Sequence, residues 1–215
     1  RRRDRGSPGR PAAWPQSRRS LALPVMWSDR AEPADPAAVA TVVDLAWAAQ
    51  PRCGDVVVVA IDGRSGAGKT TLAVAVAAAL EAPVAHMDEI FPGWEGLSAA
   101  VHLVTEQVLR PLARGEPAAY RVWDWVAGRW GATKELPGSR FLVVEGCGSS
   151  VDPAGSYAAL RVWVEAPRGI RRRRGLARDG EVFAPHWQRW ADQEDAVFTA
   201  DRTQERADLV VTTAR

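Results

Sequence analysis

The sequence predicts a three-layer α/β domain, in which helices cover both faces of a mainly parallel sheet of five strands. Three observations support this fold class. Short apolar runs alternate with longer amphipathic segments along most of the 215 residues. The first of these runs, residues 56–61, leads through a glycine-rich turn into a segment with helical character. No stretch approaches the roughly 20 apolar residues that a membrane-spanning helix needs.

Composition indicates one sizeable core with a basic N-terminal segment. Hydrophobic residues make up 47% of the chain, which is too few for two full domains at this length. The net charge is +2, but residues 1–30 hold eight arginines against Asp4 and Asp29, which gives +6 locally and leaves −4 for the remainder. The core therefore gives no electrostatic reason to expect nucleic acid as a ligand. Lys69 and Lys134 are the only lysines, which we interpret as coding bias except at Lys69.

Residues 1–33 are rich in Arg, Pro, Gly and Ser and show no apolar period, so they predict a disordered basic tail. Residues 34–215 are predicted to form the folded domain. A basic arm that binds nucleic acid is the alternative for the tail. Patterned sequence begins soon after Met26, the first methionine, and it stays open whether residues 1–25 belong to the natural product.

Deleting residues 1–25 is expected to leave the melting temperature and the activity unchanged, because this segment has no apolar face with which to dock. Thermal denaturation of the full and shortened chains tests this. A fall in Tm of several degrees would show that the segment packs on the domain.

Cysteine usage and the N-terminal segment bear on the compartment. Cys53 and Cys147 are the only cysteines, which excludes a disulfide framework and fits a reducing environment. Residues 17–25 have a weak likeness to a twin-arginine export signal, but Pro24 interrupts the apolar run. We therefore predict a cytoplasmic protein without a membrane partner.

The first half of the domain predicts two helices around the glycine-rich turn. Residues 35–47 begin with Asp-Pro, a good cap and first helical position, and their apolar residues then recur at helical spacing. After the first strand, residues 72–80 are apolar on all sides and are expected to be deeply packed. Residues 83–87 predict a short second strand, and apolar positions between 97 and 112 mark another helix.

The second half predicts a hairpin and three more strands. Residues 120–130 alternate and contain three tryptophans, which favours a strand or hairpin. Apolar runs at 141–145, 160–165 and 209–212 predict buried strands. The first of these runs closes on an acid, Glu145.

The turn after the first strand carries a phosphate-binding motif. Gly63, Gly68, Lys69 and Thr70 match G-x-x-x-x-G-K-[ST] at every fixed position, between a strand and a helix. Glycine lets backbone N–H groups wrap a phosphate chain, and the helix N-terminus adds its positive dipole end. Lys69 would neutralise the outer phosphates, and the Thr70 hydroxyl would complete a Mg²⁺ shell. The predicted nucleotide-binding residues here are Gly63, Arg64, Ser65, Gly66, Ala67, Gly68, Lys69, Thr70 and Thr71.

Asp88 follows the second predicted strand directly. In doubly wound folds, acids just past the carboxyl ends of strands lie beside the bound ligand. Asp88 is therefore a candidate base, with a helix-capping acid as the alternative.

Four blocks of the chain together resemble the uridine kinase-like branch of the P-loop nucleoside and nucleotide kinases. The blocks are residues 63–70, 86–91, 122–126 and 171–179, and the resemblance covers about residues 55–212. It implies a three-layer P-loop kinase fold with a small arginine-rich lid at about 168–184. It also implies ATP and Mg²⁺ as cofactors, and transfer of the γ-phosphate of ATP to a hydroxyl of a small molecule.

The resemblance also implies roles for individual residues. Asp88 would be the base for the acceptor hydroxyl. Lys69 and Mg²⁺ would hold the β and γ phosphates, and Glu145 would position the metal together with Thr70. The implied acceptor contacts are Asp88, Phe91, Trp123, Asp124 and Trp125.

The arginine run lies between the fourth and fifth strands of the predicted sheet, where kinases of this group carry a lid. Arg171, Arg174 and Arg178 fall at i, i+3 and i+7, roughly one helical face. As a lid, Arg171 would contact the nucleotide, and Arg174 and Arg178 would act in catalysis over the transferring phosphate. A solvated helix face or a nucleic-acid-binding patch is the alternative. The three histidines, by contrast, show no ligand spacing and are predicted to be structural.

The acceptor region departs from the family pattern. The family's Asn-Phe-Asp-His-Pro segment, whose Asp holds the ribose, is missing from residues 92–97. The family's usual Tyr falls at Trp123 and its base-reading His at Gly128. Trp94, Trp123 and Trp125 would stack a base, enclose another planar or apolar alcohol, or simply pack a lid on the core. The identity of the acceptor therefore stays open, as does the oligomeric state.

Two other functions compete with this one. A nucleoside monophosphate kinase would need arginines near Asp88, where the sequence offers Arg110, Arg114 and Arg121. A P-loop ATPase or switch acting on a macromolecule is the second alternative. The sequence argues against a GTPase, because the guanine-reading Asn-Lys-x-Asp motif cannot exist in a chain without Asn.

Overall fold

The computed structural model describes residues 33–213. The predicted tail therefore lies outside the described residues, apart from Pro33. In the described part of the chain, no helix has both the length and the apolar character needed to cross a bilayer.

A parallel sheet of five strands forms the centre of the domain, as predicted. The strands of the described chain are, in order, β1 (Val57–Asp62), β2 (Val84–His86), β3 (Ala118–Asp124), β4 (Arg129–Leu136), β5 (Phe141–Glu145), β6 (Leu160–Glu165) and β7 (Leu209–Thr212). The sheet has the order β2-β5-β1-β6-β7, and every neighbouring pair is parallel. β3 and β4 form a separate antiparallel hairpin. The alternation of short apolar runs with longer segments thus correctly predicted both the sheet and the hairpin.

Helices lie on both faces of the sheet. They are α1 (Pro36–Ala48), α2 (Lys69–Leu80), α3 (Leu97–Val104), α4 (Arg110–Ala113), α5 (Arg168–Phe183) and α6 (Trp187–Asp201). A π-helical turn, Thr105–Leu109, joins α3 to α4. The Asp35 carboxylate accepts the Ala37 N–H at 3.1 Å, which confirms the predicted start of α1.

Alternate side chains of β1 enter two different cores. Val57, Val59 and Ile61 pack with α1 and α2, whereas Val58 packs on the other side with α3 and α6. Both faces of the strand are therefore buried, which explains its uninterrupted apolar sequence.

Two expectations differ from the structure. Residues 72–80 were expected to be deeply packed, but Val74 on α2 is 56% exposed. One side of this helix faces solvent although its side chains are apolar all round. The second difference is α6, a helix that the sequence pattern did not predict. Its buried residues Trp187, Trp190, Glu194 and Phe198 follow a helical period that includes one acid.

Candidate active site

The loop between β1 and α2 contains glycines at positions where no side chain fits. Gly63 has φ +140°, and a Cβ atom there would lie 2.3 Å from the carbonyl oxygen of Val164. Gly66 has φ +76°, and its Cβ would lie 2.1 Å from the carbonyl oxygen of Arg171. No larger residue fits at either position. α2 begins at Lys69, so its free N–H groups and positive dipole end lie at the loop.

Lys69 is buried inside this loop. Its Nζ donates to the carbonyl oxygen of Arg64 at 3.1 Å and lies 3.4 Å from Cys147 Sγ. Burial lowers the pKa of Lys69, but neighbouring acidic groups, led by Cys147 and Glu194, outweigh that effect and raise it. The ammonium charge is therefore maintained where a phosphate would lie.

Glu145 lies beside the loop because of the sheet register. It pairs with Ile61 of β1 on one side and with His86 of β2 on the other. The Thr70 hydroxyl donates to the two Glu145 carboxylate oxygens at 3.3 and 3.4 Å. A hydroxyl and a carboxylate are hard oxygen ligands of the kind that Mg²⁺ prefers, so this pair fits the metal site predicted from the sequence.

His86 is the second partner of Glu145, with Nδ1 2.6 Å from Glu145 Oε1. Burial lowers the pKa of His86, but the hydrogen bond and the charge of Glu145 outweigh it and raise the pKa. The histidine predicted to be structural therefore orients a candidate metal-binding carboxylate.

Asp88 lies in a short 3₁₀ turn, Met87–Glu89, directly after β2. Burial raises the pKa of this carboxyl group, and Glu145 adds to the effect, whereas Arg178 and Lys69 act in the opposite direction. The sheet register also brings this turn close to Glu145, because Asp88 comes two residues after His86, which pairs with Glu145. A carboxylate with a raised pKa is better matched to proton transfer near neutral pH than an ordinary one.

The three predicted lid arginines do not share one target. Arg171 donates to the carbonyl oxygens of Ala166 at 3.0 Å and Ser65 at 3.5 Å. Arg174 donates to Thr213 Oγ1 and to its carbonyl oxygen, at 3.0 and 2.9 Å. Thr213 Oγ1 in turn donates to the carbonyl oxygen of Ala67 at 2.5 Å. Arg171 and Arg174 thus support the phosphate loop from outside.

Arg178 has a different environment from the other two arginines. It pairs with the adjacent Asp179 and interacts electrostatically with Asp88 and Glu145. Arg178 is therefore the arginine of the three whose charge interacts with the candidate base.

Of the predicted acceptor contacts on the hairpin, Trp125 contacts Asp88, whereas Trp123 and Asp124 contact other residues of the hairpin. The Trp125 indole donates from Nε1 to the carbonyl oxygen of Asp88 at 2.8 Å, which connects the tip of the hairpin to the candidate base. Trp123 packs edge-on against Trp130 within the hairpin, with ring centroids 5.1 Å apart. Asp124 Oδ1 accepts two backbone N–H groups of the hairpin turn, from Val126 and Ala127.

The aromatic residues near Asp88 pack largely on one another. Phe91 is buried, with its ring centroid 4.8 Å from that of Trp190 on α6. Trp94 stacks on His186 with centroids 4.4 Å apart and contacts Trp125 at 4.8 Å. Trp94 thus joins the hairpin tip to the α5–α6 corner, as expected for packing between a lid and the core.

Two further buried carboxylates, Asp62 and Glu194, contact the phosphate loop. The Asp62 carboxylate is fully buried and accepts the backbone N–H groups of Gly63, Gly148 and Ser150, at 2.7, 2.9 and 2.8 Å, and the Ser150 hydroxyl at 2.9 Å. It therefore joins the start of the phosphate loop to the loop that follows β5. The second is Glu194 of α6, which contacts the phosphate loop itself. In the sequence, Glu194 could have been noticed as an acid at a position where helical spacing predicts an apolar residue.

A group of three polar residues that the sequence did not predict links the hairpin to the turn that holds Asp88. Glu89 accepts the Tyr120 hydroxyl of β3 and pairs with Lys134 Nζ of β4 at 2.8 and 3.1 Å. Lys134 was interpreted as coding bias, but the structure gives it a specific partner.

Lys134→Met is expected to lower stability by about 1 kcal/mol or less, because the ion pair it removes is partly exposed. That loss corresponds to a fall in Tm of up to about 4 °C for a domain of this size. Thermal denaturation is the measurement, with Arg129→Met, which removes a charge from the exposed start of β4, as the control. Equal Tm values for the two variants would contradict the contribution of the Glu89 pair.

Comparison with known proteins identifies the fold. No family model and no curated protein matches the sequence. A solved structure described as a "possible uridine kinase" from Bacillus stearothermophilus matches this chain with a TM-score of 0.60 and 21% sequence identity. The match covers 81% of this chain and 97% of that chain. A "putative fructose transport system kinase" from Silicibacter sp. TM1040 matches with a TM-score of 0.51 and 21% identity, over 80% of this chain and 98% of that one.

These two matches confirm the structural resemblance predicted from the four sequence blocks. They span most of the described chain and include the five-stranded parallel sheet flanked by helices. The chain is therefore structurally similar to uridine kinase-like P-loop kinases and has their α/β fold.

Proposed function

We propose that this protein is an ATP-dependent phosphotransferase that moves the γ-phosphate of ATP to a hydroxyl group of a small molecule. The position of Asp88 carries the proposal. Asp88 comes two residues after His86, which pairs in register with Glu145. Glu145 in turn accepts the hydroxyl of Thr70, which follows Lys69 in the phosphate loop. A base beside the groups that bind phosphate is the arrangement that transfer to an alcohol requires.

The phosphate loop and Lys69 bind and orient the phosphates of the nucleotide in this mechanism. Thr70 and Glu145 would hold Mg²⁺, which neutralises phosphate charge when it is bound. Asp88 accepts the proton of the acceptor hydroxyl, and Arg178 stabilises the charge of the transferring phosphoryl group. Phosphoryl transfer asks little covalent chemistry of the protein, so positioning and charge supply most of the rate.

The hairpin formed by β3 and β4 is proposed to cover the acceptor. Trp125 contacts the backbone of Asp88, and the Glu89–Lys134 pair attaches the base of the hairpin to the same turn. A cover of this kind excludes water and thereby limits wasteful hydrolysis of ATP. The acceptor is a small hydroxyl compound, and its binding does not depend on the ribose-holding segment that residues 92–97 lack.

The contacts of three arginines argue against a monophosphate acceptor. Arg110 and Arg114 pair with Glu106 and Glu116 on the surface. Arg121 lies over the Trp130 ring, 5.8 Å from its centroid. None of these contacts is with Asp88, so the three arginines that the sequence offered to the nucleoside monophosphate kinase alternative do not support it.

A screen of ATP consumption tests the proposed function. Nucleosides, nucleoside monophosphates and small alcohols are each mixed with Mg²⁺, ATP and the protein, and ADP and phosphoester products are measured together. We expect ADP release that depends on an alcohol and matches formation of its phosphoester. Turnover only with monophosphates, or hydrolysis that needs a macromolecule, would replace the proposal with one of the two alternatives.

A further inference from the structure

The carboxylate of Glu194 is buried against the phosphate loop and has no part in the mechanism above. Its side chain is 1% exposed. Oε1 accepts the Ser65 backbone N–H at 2.6 Å, the Trp190 indole N–H at 3.0 Å and the Cys147 thiol at 3.3 Å. A carboxylate is seldom this deeply buried unless its oxygens are hydrogen-bonded, and here three donors meet one oxygen.

Glu194 acts on the loop together with Arg171. Arg171 Nη1 lies 3.8 Å from Glu194 Oε2 and also donates to the carbonyl oxygen of Ser65 at 3.5 Å. The Ser65 backbone N–H therefore donates to Glu194, and the Ser65 carbonyl oxygen accepts from Arg171. Both ends of one loop residue are tied to a single buried ion pair, which determines the orientation of its two peptide groups.

The same carboxylate influences the lysine of the loop. Glu194 is among the groups that raise the pKa of Lys69, next after Cys147 in the size of its effect. Glu194 is thus linked to the phosphate loop through the Ser65 backbone, through the thiol beside Lys69, and through charge.

We propose that Glu194 is a positioning residue that holds the phosphate loop in its nucleotide-binding shape before the nucleotide arrives. The proposal rests on the proposed nucleotide binding for its functional consequence, and on the free protein for its structural one. A loop that is already ordered loses less conformational entropy when a ligand binds, so affinity for ATP increases. The contacts of Glu194 are with the backbone of Ser65 and with Cys147, Trp190 and Arg171 rather than with Asp88. It is therefore expected to affect binding of the nucleotide rather than the transfer step.

Three variants separate this role from general stabilisation. Glu194→Leu removes the acceptor at similar volume. Glu194→Asp keeps a buried charge for Arg171 but withdraws it from the Ser65 N–H. Glu194→Gln keeps an oxygen acceptor for that N–H. Asp192→Asn is the matched control, because it removes a carboxylate from the exposed side of the same helix, where its partner is Gln188.

Hydrogen exchange of the Ser65 amide in the free protein is the first measurement. Exchange is expected to be at least about tenfold faster in Glu194→Leu and Glu194→Asp, and close to wild type in Glu194→Gln and Asp192→Asn. If Glu194→Leu does not fold, Glu194→Asp alone decides the result. Wild-type exchange in a folded Glu194→Asp variant would overturn the proposal.

The second measurement compares KM for ATP with kcat. In Glu194→Asp, KM is expected to rise by about tenfold while kcat stays within about threefold, with recovery in Glu194→Gln. Equal loss in kcat and none in KM would overturn the positioning role. A wild-type protein that does not bind ATP would instead overturn the proposed function, while the exchange measurement on the free protein would still decide the role of Glu194.

Discussion

Asp88→Asn is expected to lower kcat by about 10²- to 10⁴-fold and to leave ATP binding nearly unchanged. Asparagine keeps the size and hydrogen-bonding reach of the side chain but cannot take a proton. The phosphate loop is built by backbone geometry and by Lys69, so the ground-state complex with ATP does not need the Asp88 charge.

The measurement is kcat with the best acceptor from the screen, together with direct ATP binding. Glu95→Gln is the control, because Glu95 is an exposed acid that pairs with Arg189 on the surface. A loss below about threefold, short of a general-base contribution, would leave Asp88 without a catalytic role and return Glu89 or Asp124 as candidates.

The pH profile gives a second check on Asp88. A general base acts only when deprotonated, so activity is expected above its pKa and is lost as the pH falls through it. Since burial raises the pKa of Asp88, this acidic limb is expected at a higher pH than the ordinary value of 3.8. An acidic limb at or below that ordinary value would contradict the assignment.

Lys69→Ala is expected to reduce turnover to background while the protein remains folded. The substitution removes the buried ammonium group from the phosphate site. The loop itself is held by other contacts, among them those of Asp62, Glu194 and Thr213. Losing one group that stabilises transition-state charge costs about 10²- to 10³-fold in enzymes of other classes, and Lys69 carries a full charge.

Turnover and Tm are measured for Lys69→Ala beside Arg140→Met. Arg140 precedes β5, at the opposite end of the sheet from the loop, and stacks on Trp47. The control therefore removes one positive charge far from the site. Near-normal kcat in folded Lys69→Ala would contradict the phosphate-loop assignment.

The phosphate loop and its surroundings could be predicted from sequence because the groups involved are neighbours along the chain. Residues 63–70 contain the turn, the lysine and the hydroxyl within one short motif, and the positive φ angles of Gly63 and Gly66 agree with it. Asp88 and Glu145 could be predicted for a related reason. Each follows a short apolar strand, and the carboxyl ends of parallel strands meet at one edge of the sheet.

The arginine-rich segment shows where local reasoning stops. Helical spacing places Arg171, Arg174 and Arg178 roughly on one face, and all three were expected to act on the nucleotide or its transferring phosphate. In the folded chain, the partners of Arg171 and Arg174 come from the phosphate loop and the end of β7, and Arg178 interacts with Asp88. Spacing within a helix determines which side chains are neighbours, but not which distant segment they meet.

Local sequence was thus sufficient for the fold class, the phosphate loop and the two acids at the strand ends, since these depend on short-range patterns. The supports of that site depended on the folded chain. Ser65 and Glu194 are 129 positions apart, and Glu89 and Lys134 are 45 apart. Such pairs form only when the sheet brings α6 and the hairpin to the same edge, and the amino-acid types of Glu194 or Lys134 carry no local signature of their partners. Hydrogen bonds and ion pairs across that distance are therefore a property of the tertiary structure.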